Sequence, residues 1–309
     1  MLDSNYILDP WSIIEDTFDQ SKMIDSESIF SLGNGKIGQR GNFEESFSGD
    51  KSIGNYISGI YYKDKTKVGW WKKGYPDYFA KMVNCPNWNS IIIEINDKLL
   101  DLSKCKIISY RRQLNMKEGW CERKVHLKTS NCEEIEIKSK KFISLKRENV
   151  GVIKYSIKAL NNKLKIKVLP SIDIDVKNND ANWNQPFLET IKTLADKNIS
   201  IVNSKIINSD FEIATFIKTK YFVNSIAIDT NYIPSNSKKL IGFSSTFDLG
   251  KNNELTILKL GGYVNSNDTP VREFINVIKH ETQSALNQGF VGLLEENIEE
   301  WAKIWDNSD

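Results

Sequence analysis

The sequence predicts a mainly β protein, a large antiparallel super-sandwich followed by C-terminal linker helices. β-branched and polar residues alternate over most of the chain. This period of two is typical of strands with one buried and one solvated face, as in antiparallel sheets. Pairs of Asn, Asp and Gly residues separate the strands as turn signals. Helical segments do not alternate with the strands, which argues against a βαβ architecture.

A glycine-rich segment, SLGNGKIGQRGNFEE, comes before most of the strands. Glycine takes positive φ at no steric cost, so this density of glycines predicts a tight turn system. We predict a structural turn core made of Gly33, Gly35, Gly38 and Arg40. The same glycines match the spacing G-x-G-x-x-G, and a phosphate-binding loop is therefore the alternative. That alternative lacks the helix that should follow the glycines.

The predicted strands then follow in order along the chain. Residues 53–63 are rich in Ile and Tyr, and residues 90–102 alternate around Asn96-Asp97 as in a hairpin. The remaining predicted strands are 133–145, 150–160, 162–176, 199–207, 211–222, 240–249 and 253–264.

The pattern changes from strands to helices at Thr269. Thr269 is the expected N-cap, Pro270 the first helical residue and Gly289 the end of this helix. A second helix begins at Phe290 and carries an apolar stripe that includes two tryptophans. Two interpretations stay open. Either the stripe packs back on the sandwich, or a further part of the protein covers it.

Composition and charge exclude several classes of protein. The 42 basic and 40 acidic residues give a net charge of +2, which is not the footprint of a nucleic-acid-binding protein. We expect no membrane span, because no apolar run reaches about 18 residues, and no signal peptide. The four cysteines lack C-x-x-C spacing and only two histidines occur, so we expect no metal site. Free thiols predict a cytoplasmic protein.

Several segments resemble glycoside hydrolase family 65, which contains maltose, kojibiose and trehalose phosphorylases and related α-glucosidases. The segments that carry the resemblance are, in order, ESIFSLGNGKIGQRGNFEE, YISGIYY, DKTKVGWWKKGYP, VNCPNW, YRRQLNMKEGWCERKV and GFVGLLEENIEEWAKIWDNSD. The resemblance implies a galactose-mutarotase-like β-sandwich domain over residues 1–268. It implies linker helices over residues 269–309, leading to an (α/α)6 catalytic barrel outside this sequence.

The function implied by the resemblance is that of a non-catalytic N-terminal domain. The parent enzyme would be an inverting phosphorylase that converts an α-glucoside and phosphate into β-glucose 1-phosphate and glucose, with maltose as the first expected substrate. Its catalytic glutamate would lie in the barrel, so we expect no catalytic residue here and no activity of this chain alone. No cofactor is implied; inorganic phosphate would be a co-substrate. The expected partners are the barrel, an α-linked glucose disaccharide and a second copy of the enzyme.

Two alternative functions stay open. One is the same domain of a family 65 α-glucoside hydrolase, in which water replaces phosphate. The other is a free-standing carbohydrate-binding module. Adjacent glutamates could suggest a catalytic pair, but neighbours in a strand or helix diverge, so we expect them to be solvated surface. These pairs are Glu44-Glu45, Glu133-Glu134, Glu295-Glu296 and Glu299-Glu300.

The candidate contact residues lie in an aromatic loop over residues 64–88. Trp70, Trp71, Tyr75 and Trp88 are the candidates for a substrate rim or an interface. Aromatic side chains on Gly- and Pro-bearing loops pack against partner surfaces or stack on sugars. Domain packing or a dimer contact, the rim of an active site and independent sugar binding are the three interpretations. Further along the chain, we expect Arg112 and Glu118, like Arg40 and Asn42, to be buried hydrogen-bonding groups that hold turns.

Overall fold

A computed structural model describes residues 6–67, 73–235 and 237–308 of the chain. The strands are β1 (Tyr6–Asp9), β2 (Ser12–Glu15), β3 (Leu32–Gly33), β4 (Ile37–Gln39), β5 (Asn55–Ile57), β6 (Tyr61–Lys65), β7 (Tyr78–Met82), β8 (Ile91–Ile95), β9 (Lys98–Leu99), β10 (Lys106–Asn115), β11 (Trp120–Lys128), β12 (Glu134–Ile143), β13 (Val150–Ala159), β14 (Leu164–Asp173), β15 (Leu188–Asp196), β16 (Ile199–Ile206), β17 (Glu212–Val223), β18 (Ile226–Ile228), β19 (Ile233–Pro234), β20 (Leu240–Leu249) and β21 (Glu254–Asn265). The α-helices are α1 (Met23–Ile29) and α2 (Phe274–Asp306), and short 3-10 turns span Gln20–Lys22, Leu102–Lys104 and Val271–Glu273.

Two antiparallel sheets form the body of the protein, so the predicted mainly β architecture is confirmed. In the part of the chain that the structure describes, the larger sheet has eleven strands in the order β1-β2-β10-β11-β12-β13-β21-β17-β16-β15, with β18 beside β17. The smaller sheet has the order β19-β20-β14-β8-β9. Strands β3-β4-β5 form a third sheet, and β6 and β7 form a separate two-stranded hairpin.

The core lies between the two large sheets. Every second side chain along a strand points inward, and the inward side chains of the two sheets meet there. Ile137 and Tyr155 of the larger sheet and Ile166 of the smaller one are fully buried in it. Trp88 is buried there as well. A Cβ atom at Gly151 or Gly261 would lie 2.4 or 2.3 Å from the Trp88 ring, so these two glycines make the room that the indole occupies.

The glycine-rich segment is a β-hairpin. Gly33 of β3 pairs with Gly38 of β4, and Gly35 has a φ of +85° in the turn between them. The Asn34 side chain accepts hydrogen bonds from the backbone N–H groups of Lys36 and Ile37 at 3.0 and 2.8 Å. Strand β5 pairs with β4, so a strand and not a helix N-terminus lies next to the glycines. This local structure does not match a phosphate-binding loop.

Arg40 joins this hairpin to two neighbouring segments. Its Nε donates to the carbonyl of Ser52 at 2.8 Å, and its NH2 donates to the carbonyl of Ile24 at 2.9 Å. The same nitrogen donates to Ser28 Oγ at 2.7 Å. One planar guanidinium therefore satisfies acceptors from α1 and from the loop before β5.

The helical segment begins later than predicted. The expected N-cap at Thr269 is wrong, because Pro270 lies just before a 3-10 turn and no side chain caps either that turn or α2. The α-helix proper starts at Phe274 and is interrupted at Gly289, which has φ +73° and ψ 174°. Strand β21 ends at Asn265, shortly before the predicted boundary at residue 268.

Helix α2 packs on the outer face of the larger sheet, so the first interpretation of its apolar stripe is confirmed for most of its length. Before Gly289, Ile278 and Ala285 are fully buried in a cluster with sheet residues, and after it Leu293 of the stripe is fully buried in the same cluster. After Gly289, the buried Asn297 accepts from Leu145 N at 3.1 Å and donates to the carbonyl of Glu118 at 2.9 Å.

The two tryptophans at the end of α2 lie over the turn between β10 and β11. Trp301 and Trp305 stack with their ring centroids 5.7 Å apart, and the second ring meets the edge of Trp11 at 4.9 Å. Trp305 Nε1 also donates to the carbonyl of Lys117 at 2.9 Å. The sandwich itself thus covers most of the stripe, although Ile304 stays exposed.

Candidate functional site

The hairpin of β6 and β7, which we call the aromatic ribbon, carries the main concentration of exposed aromatic surface in the described residues. Exposed large side chains on the ribbon, at its tip and on the loop facing it are Tyr61, Tyr75, Tyr78, Phe79, Met82 and Trp183. A two-stranded ribbon alone is marginally stable in water, so it must be held by its surroundings. Patches of this kind mark interaction sites on soluble proteins.

A buried carboxylate fixes the base of the ribbon. Asp64 has a fully buried side chain and accepts from Asn182 N at 2.9 Å and from Gln185 Nε2 at 2.7 Å. Lys81 Nζ lies 2.8 Å from the same carboxylate. Burial would raise the pKa of Asp64, but the bonds from these three partners outweigh it and hold the pKa below its ordinary value. The ribbon is therefore attached rigidly to the loop that carries Trp183.

Lysines lie on the exposed rings of this surface. Lys63 Nζ is 4.6 Å from the centre of the Tyr78 ring, and Lys67 Nζ is 5.2 Å from that of Trp183. These are cation–π distances, and they place positive charge directly on the aromatic patch. The surface is therefore both aromatic and basic.

The structure separates the four residues predicted from the aromatic loop. Tyr75 is 47% exposed and meets the edge of the Phe79 ring at 6.3 Å, so it belongs with the ribbon. Trp88 is fully buried in the sandwich core, and its assignment to a rim or interface is wrong. Trp70 and Trp71 lie outside the described residues.

Trp183 is a member of the patch that sequence reasoning missed. It is 58% exposed and lies about a hundred positions after the aromatic loop in an Asn-rich segment, NNDANWNQPF. A lone tryptophan among turn-forming residues could have indicated an exposed ring. Its position beside the ribbon depends on the hydrogen bonds of Asn182, which no local pattern indicates.

A second cluster, which we call the ionic network, lies buried next to the glycine-rich hairpin. Arg123 NH2 is 2.9 Å from Glu44, and Arg123 NH1 is 2.6 Å from Glu45. Lys141 Nζ is 2.8 Å from Glu44 and donates to the carbonyl of Asn42 at 2.6 Å. The expectation that Glu44 and Glu45 are solvated is wrong, because both are buried. They lie outside the regular strands, so strand alternation does not point them apart.

The pKa of Glu44 shows how strongly the network favours its charged form. Burial alone would raise the pKa, but the charges and hydrogen bonds of Lys141 and Arg123 outweigh it and lower it from 4.5 to about 2. A carboxylate held ionised in this way is a poor proton donor near neutral pH. The network therefore has the chemistry of a structural ion cluster and not of a general acid.

Arg112 is a buried hydrogen-bonding group, as predicted, whereas Glu118 is only half-buried. Arg112 is buried, lies 2.9 Å from the Glu15 carboxylate and donates to the carbonyl of Gly41 at 2.9 Å. Glu118 accepts from Trp120 Nε1 at 2.5 Å in the turn beneath α2. Both contacts are internal to the fold.

The family of the chain follows from comparison with known proteins. The sequence model described as "Glycosyl hydrolase family 65, N-terminal domain" matches residues 13–304. The chain belongs to this family. The resemblance carried by the glycine-rich segment and the later motifs is thereby confirmed.

Relatives of this family 65 domain include phosphorylases with different names. The chain is 29% identical to the maltose phosphorylase of Bacillus subtilis (strain 168) over 98% of its own length and 39% of the relative's. It is 30% identical to the α,α-trehalose phosphorylase of Thermoanaerobacter brockii, over 98% of its own length and 40% of that protein. It is 25% identical to the kojibiose phosphorylase of the same organism, over 97% and 38%.

The fold is shared with a solved structure named a putative kojibiose phosphorylase from human microbiome. The TM-score is 0.86 at 22% identity, over 99% of this chain and 39% of that one. The family 65 domain thus spans about two fifths of the length of the relatives that it matches.

A cleft of about 420 Å³ opens beside the ionic network of the family 65 domain. Burial alone would raise the pKa of Asp101 in this cleft, but hydrogen bonds from Ser48 and Ser103 bring it to about 2. Burial raises the pKa of Asp173, which also lines the cleft. Across the described parts of the chain, no group of three His, Cys, Asp or Glu side chains could hold a metal ion. No described helix is long and apolar enough to cross a bilayer.

Proposed function

We propose that this chain is the non-catalytic N-terminal domain of an inverting disaccharide phosphorylase that acts on maltose. The observation that carries the proposal is the family match over residues 13–304, together with the two fifths of each phosphorylase that the chain covers. Catalysis would then belong to the remaining part of the enzyme. Such an enzyme would use inorganic phosphate as co-substrate and no other cofactor. We further propose a cytoplasmic, homodimeric enzyme.

The carboxylates of the ionic network and of Glu15 support a non-catalytic role. Inverting cleavage of a glycosidic bond needs a protonated carboxyl as general acid, placed beside the scissile bond. The buried pair Glu44 and Glu45 is instead held by Arg123, and Glu15 is held by Arg112. The domain would thus have a structural role in the enzyme and form contacts with other domains.

Activity of the full-length enzyme tests the proposal. We expect maltose and phosphate to give β-glucose 1-phosphate and glucose, with trehalose and kojibiose as the comparison substrates. The 309-residue chain alone should show no turnover. Release of glucose without phosphate would instead indicate a hydrolase. A full-length protein without activity on any of the three, combined with disaccharide binding to the 309-residue chain in calorimetry, would indicate a carbohydrate-binding module.

A further inference from the structure

We propose that the aromatic ribbon is the surface through which this domain docks on an acidic, partly apolar surface of the catalytic domain in the same polypeptide. The inference rests on the proposed function, because it needs a catalytic domain in the same chain. It assigns the ribbon as an interdomain contact and not as a sugar site.

The register of the ribbon places six of its exposed residues on one face, while exposed Phe79 pairs with Asp64 on the other. Tyr61 pairs with Met82, Lys63 with Ala80 and Lys65 with Tyr78. Cross-strand partners share a face, and alternate residues along each strand lie on that same face. All six of these residues are exposed, whereas Asp64 and Lys81, on the opposite face, are turned to the body of the domain. Among the described residues, the outer face is therefore continuous and exposed.

The charge on this face defines what can cover it. The six residues of the paired outer face include two lysines and no carboxylate, with three large apolar or aromatic side chains between them. A complementary surface needs carboxylates opposite Lys63 and Lys65 and apolar groups opposite Tyr61 and Met82. A second copy of the ribbon does not meet this need. A two-fold contact would bring four lysines and no carboxylate from the two outer faces into one interface, and like charges across an interface are costly.

The geometry also disfavours a sugar as the occupant. Lys63 Nζ already lies over the Tyr78 ring at 4.6 Å, on the surface that a sugar would stack upon. Sugar sites combine a ring platform with placed hydrogen-bond acceptors and donors. The paired residues of the outer face offer ammonium groups but no carboxylate or amide side chain. A protein surface with carboxylates fits these groups better.

The ribbon is prepared for contact before any partner arrives. Asp64 ties both strands to the loop at Asn182, and Tyr62 stacks on Phe187 with ring centroids 4.1 Å apart. A preorganised surface loses less conformational entropy on docking than a mobile one. The related phosphorylases have about three fifths of their length outside the matched part. We therefore take a catalytic domain in the same polypeptide as the partner that covers the outer face of the ribbon.

Zero-length carbodiimide cross-linking of the full-length enzyme tests the contact directly. An equal mixture of ¹⁴N- and ¹⁵N-labelled enzyme distinguishes links within one polypeptide from links between two. We expect Lys63 or Lys65 to be joined to Asp or Glu residues beyond position 309 of the same polypeptide. Exposed Lys251, in the turn before β21, is the control for lysine reactivity. Links between two ribbons, or links of Lys251 without links of the ribbon lysines, would overturn the proposal.

A charge-reversal variant gives a second readout. In the full-length enzyme, Lys63→Glu with Lys65→Glu should speed proteolytic separation of the two domains about tenfold, as expected for loss of a modest interface. The matched control is Lys192→Glu with Lys251→Glu, two exposed lysines away from the ribbon. The melting temperature of the 309-residue chain should be the same for both variants. Unchanged proteolysis of the ribbon variant would count against docking.

The two proposals fail separately. An enzyme that cross-links as expected but does not phosphorolyse disaccharides would reject the proposed function and keep the docking surface. An active phosphorylase in which the ribbon lysines form no link to the catalytic domain would reject the docking surface alone.

Discussion

Arg123 holds two adjacent carboxylates that a regular strand would have pointed to opposite faces. Its guanidinium contacts Glu44 and Glu45 from one side, and Lys141 neutralises Glu44 from another. Buried ion clusters are costly to break because the remaining charge loses its partner in a medium of low polarity. This makes each member of the network sensitive to single substitutions and to pH.

At acidic pH, the free energy of unfolding should depend on the lowered pKa of Glu44. Its pKa is about 2 in the folded protein and 4.5 ordinarily, so its contribution is present above pH 4.5 and is lost as the pH falls towards 2. Chemical unfolding at several pH values should show a steeper loss for the wild type than for Glu44→Gln. The difference should be on the order of 3 kcal/mol over this range. Half-exposed Glu94, substituted by Gln, serves as the control. Equal pH profiles for the wild type and Glu44→Gln would contradict the assignment.

Helix α2 is joined to the sandwich by the turn between β10 and β11. A Cβ atom at Gly119 would lie 1.8 Å from Trp301 Nε1, so the tryptophan ring occupies the space that a side chain would need. Asn297 bonds to the carbonyl of the preceding residue, Glu118. The end of the helix is thus held by close packing of the Trp301 indole against the backbone of Gly119.

Alanine at this glycine should loosen the end of the helix. Gly119→Ala carries the strain of a positive φ (+67°) and also clashes with Trp301. Gly35→Ala is the matched control, because Gly35 has a φ of +85° and no atom within 4 Å of the added Cβ. Each should lose about 1 kcal/mol to backbone strain, and Gly119→Ala a further 1–3 kcal/mol or so to overpacking.

Urea unfolding of the two alanine variants measures this difference. In a Trp301→Ala background the extra cost at Gly119 should largely disappear, as expected for residues in contact. Equal destabilisation by both glycine substitutions would show that Trp301 does not rest on this turn.

The two large sheets are joined through their common core by one buried lysine. Lys259 of β21 is completely buried, and its Nζ donates to the carbonyls of Ser90 and Ser171 at 2.6 and 3.2 Å. Ser171 belongs to β14 of the smaller sheet, and Ser90 directly precedes β8. The lysine therefore satisfies backbone carbonyls across the sandwich.

At alkaline pH, the free energy of unfolding should depend on the pKa of Lys259. Burial lowers its pKa well below the ordinary 10.5, although the charge of Glu44 acts in the other direction. Between the folded and the unfolded pKa the unfolded chain binds the extra proton, so this residue makes stability rise with pH, by at most about 1.4 kcal/mol per unit. Lys259→Met should reduce that rise on the alkaline side below pH 10.5, measured against the wild type. An identical slope for both proteins would contradict a lowered pKa of Lys259 in the fold.

Much of the fold could be predicted from the chain, whereas the candidate surface could be predicted only in part. The alternation in β12 and β14 indicated strands because buried residues alternate with more exposed ones along most of each strand, which is a local property. Tyr75 could be placed on an exposed aromatic surface from its neighbours Gly74 and Pro76. Trp183 could not, because its partners in space lie about a hundred residues away.

The amino-acid sequence determines the antiparallel sandwich, the glycine hairpin and the membership in family 65, because period-two alternation, glycine turns and ordered motifs are local features of the chain. Only the tertiary structure decides that Trp88 is core, that Glu44 and Glu45 share Arg123, and that α2 rests on the sandwich. Burial and charge pairing depend on residues brought together from distant strands. A strand with alternating side chains can be covered by a second sheet or can face water. The packing of the sheets decides that the outer face of the aromatic ribbon is exposed.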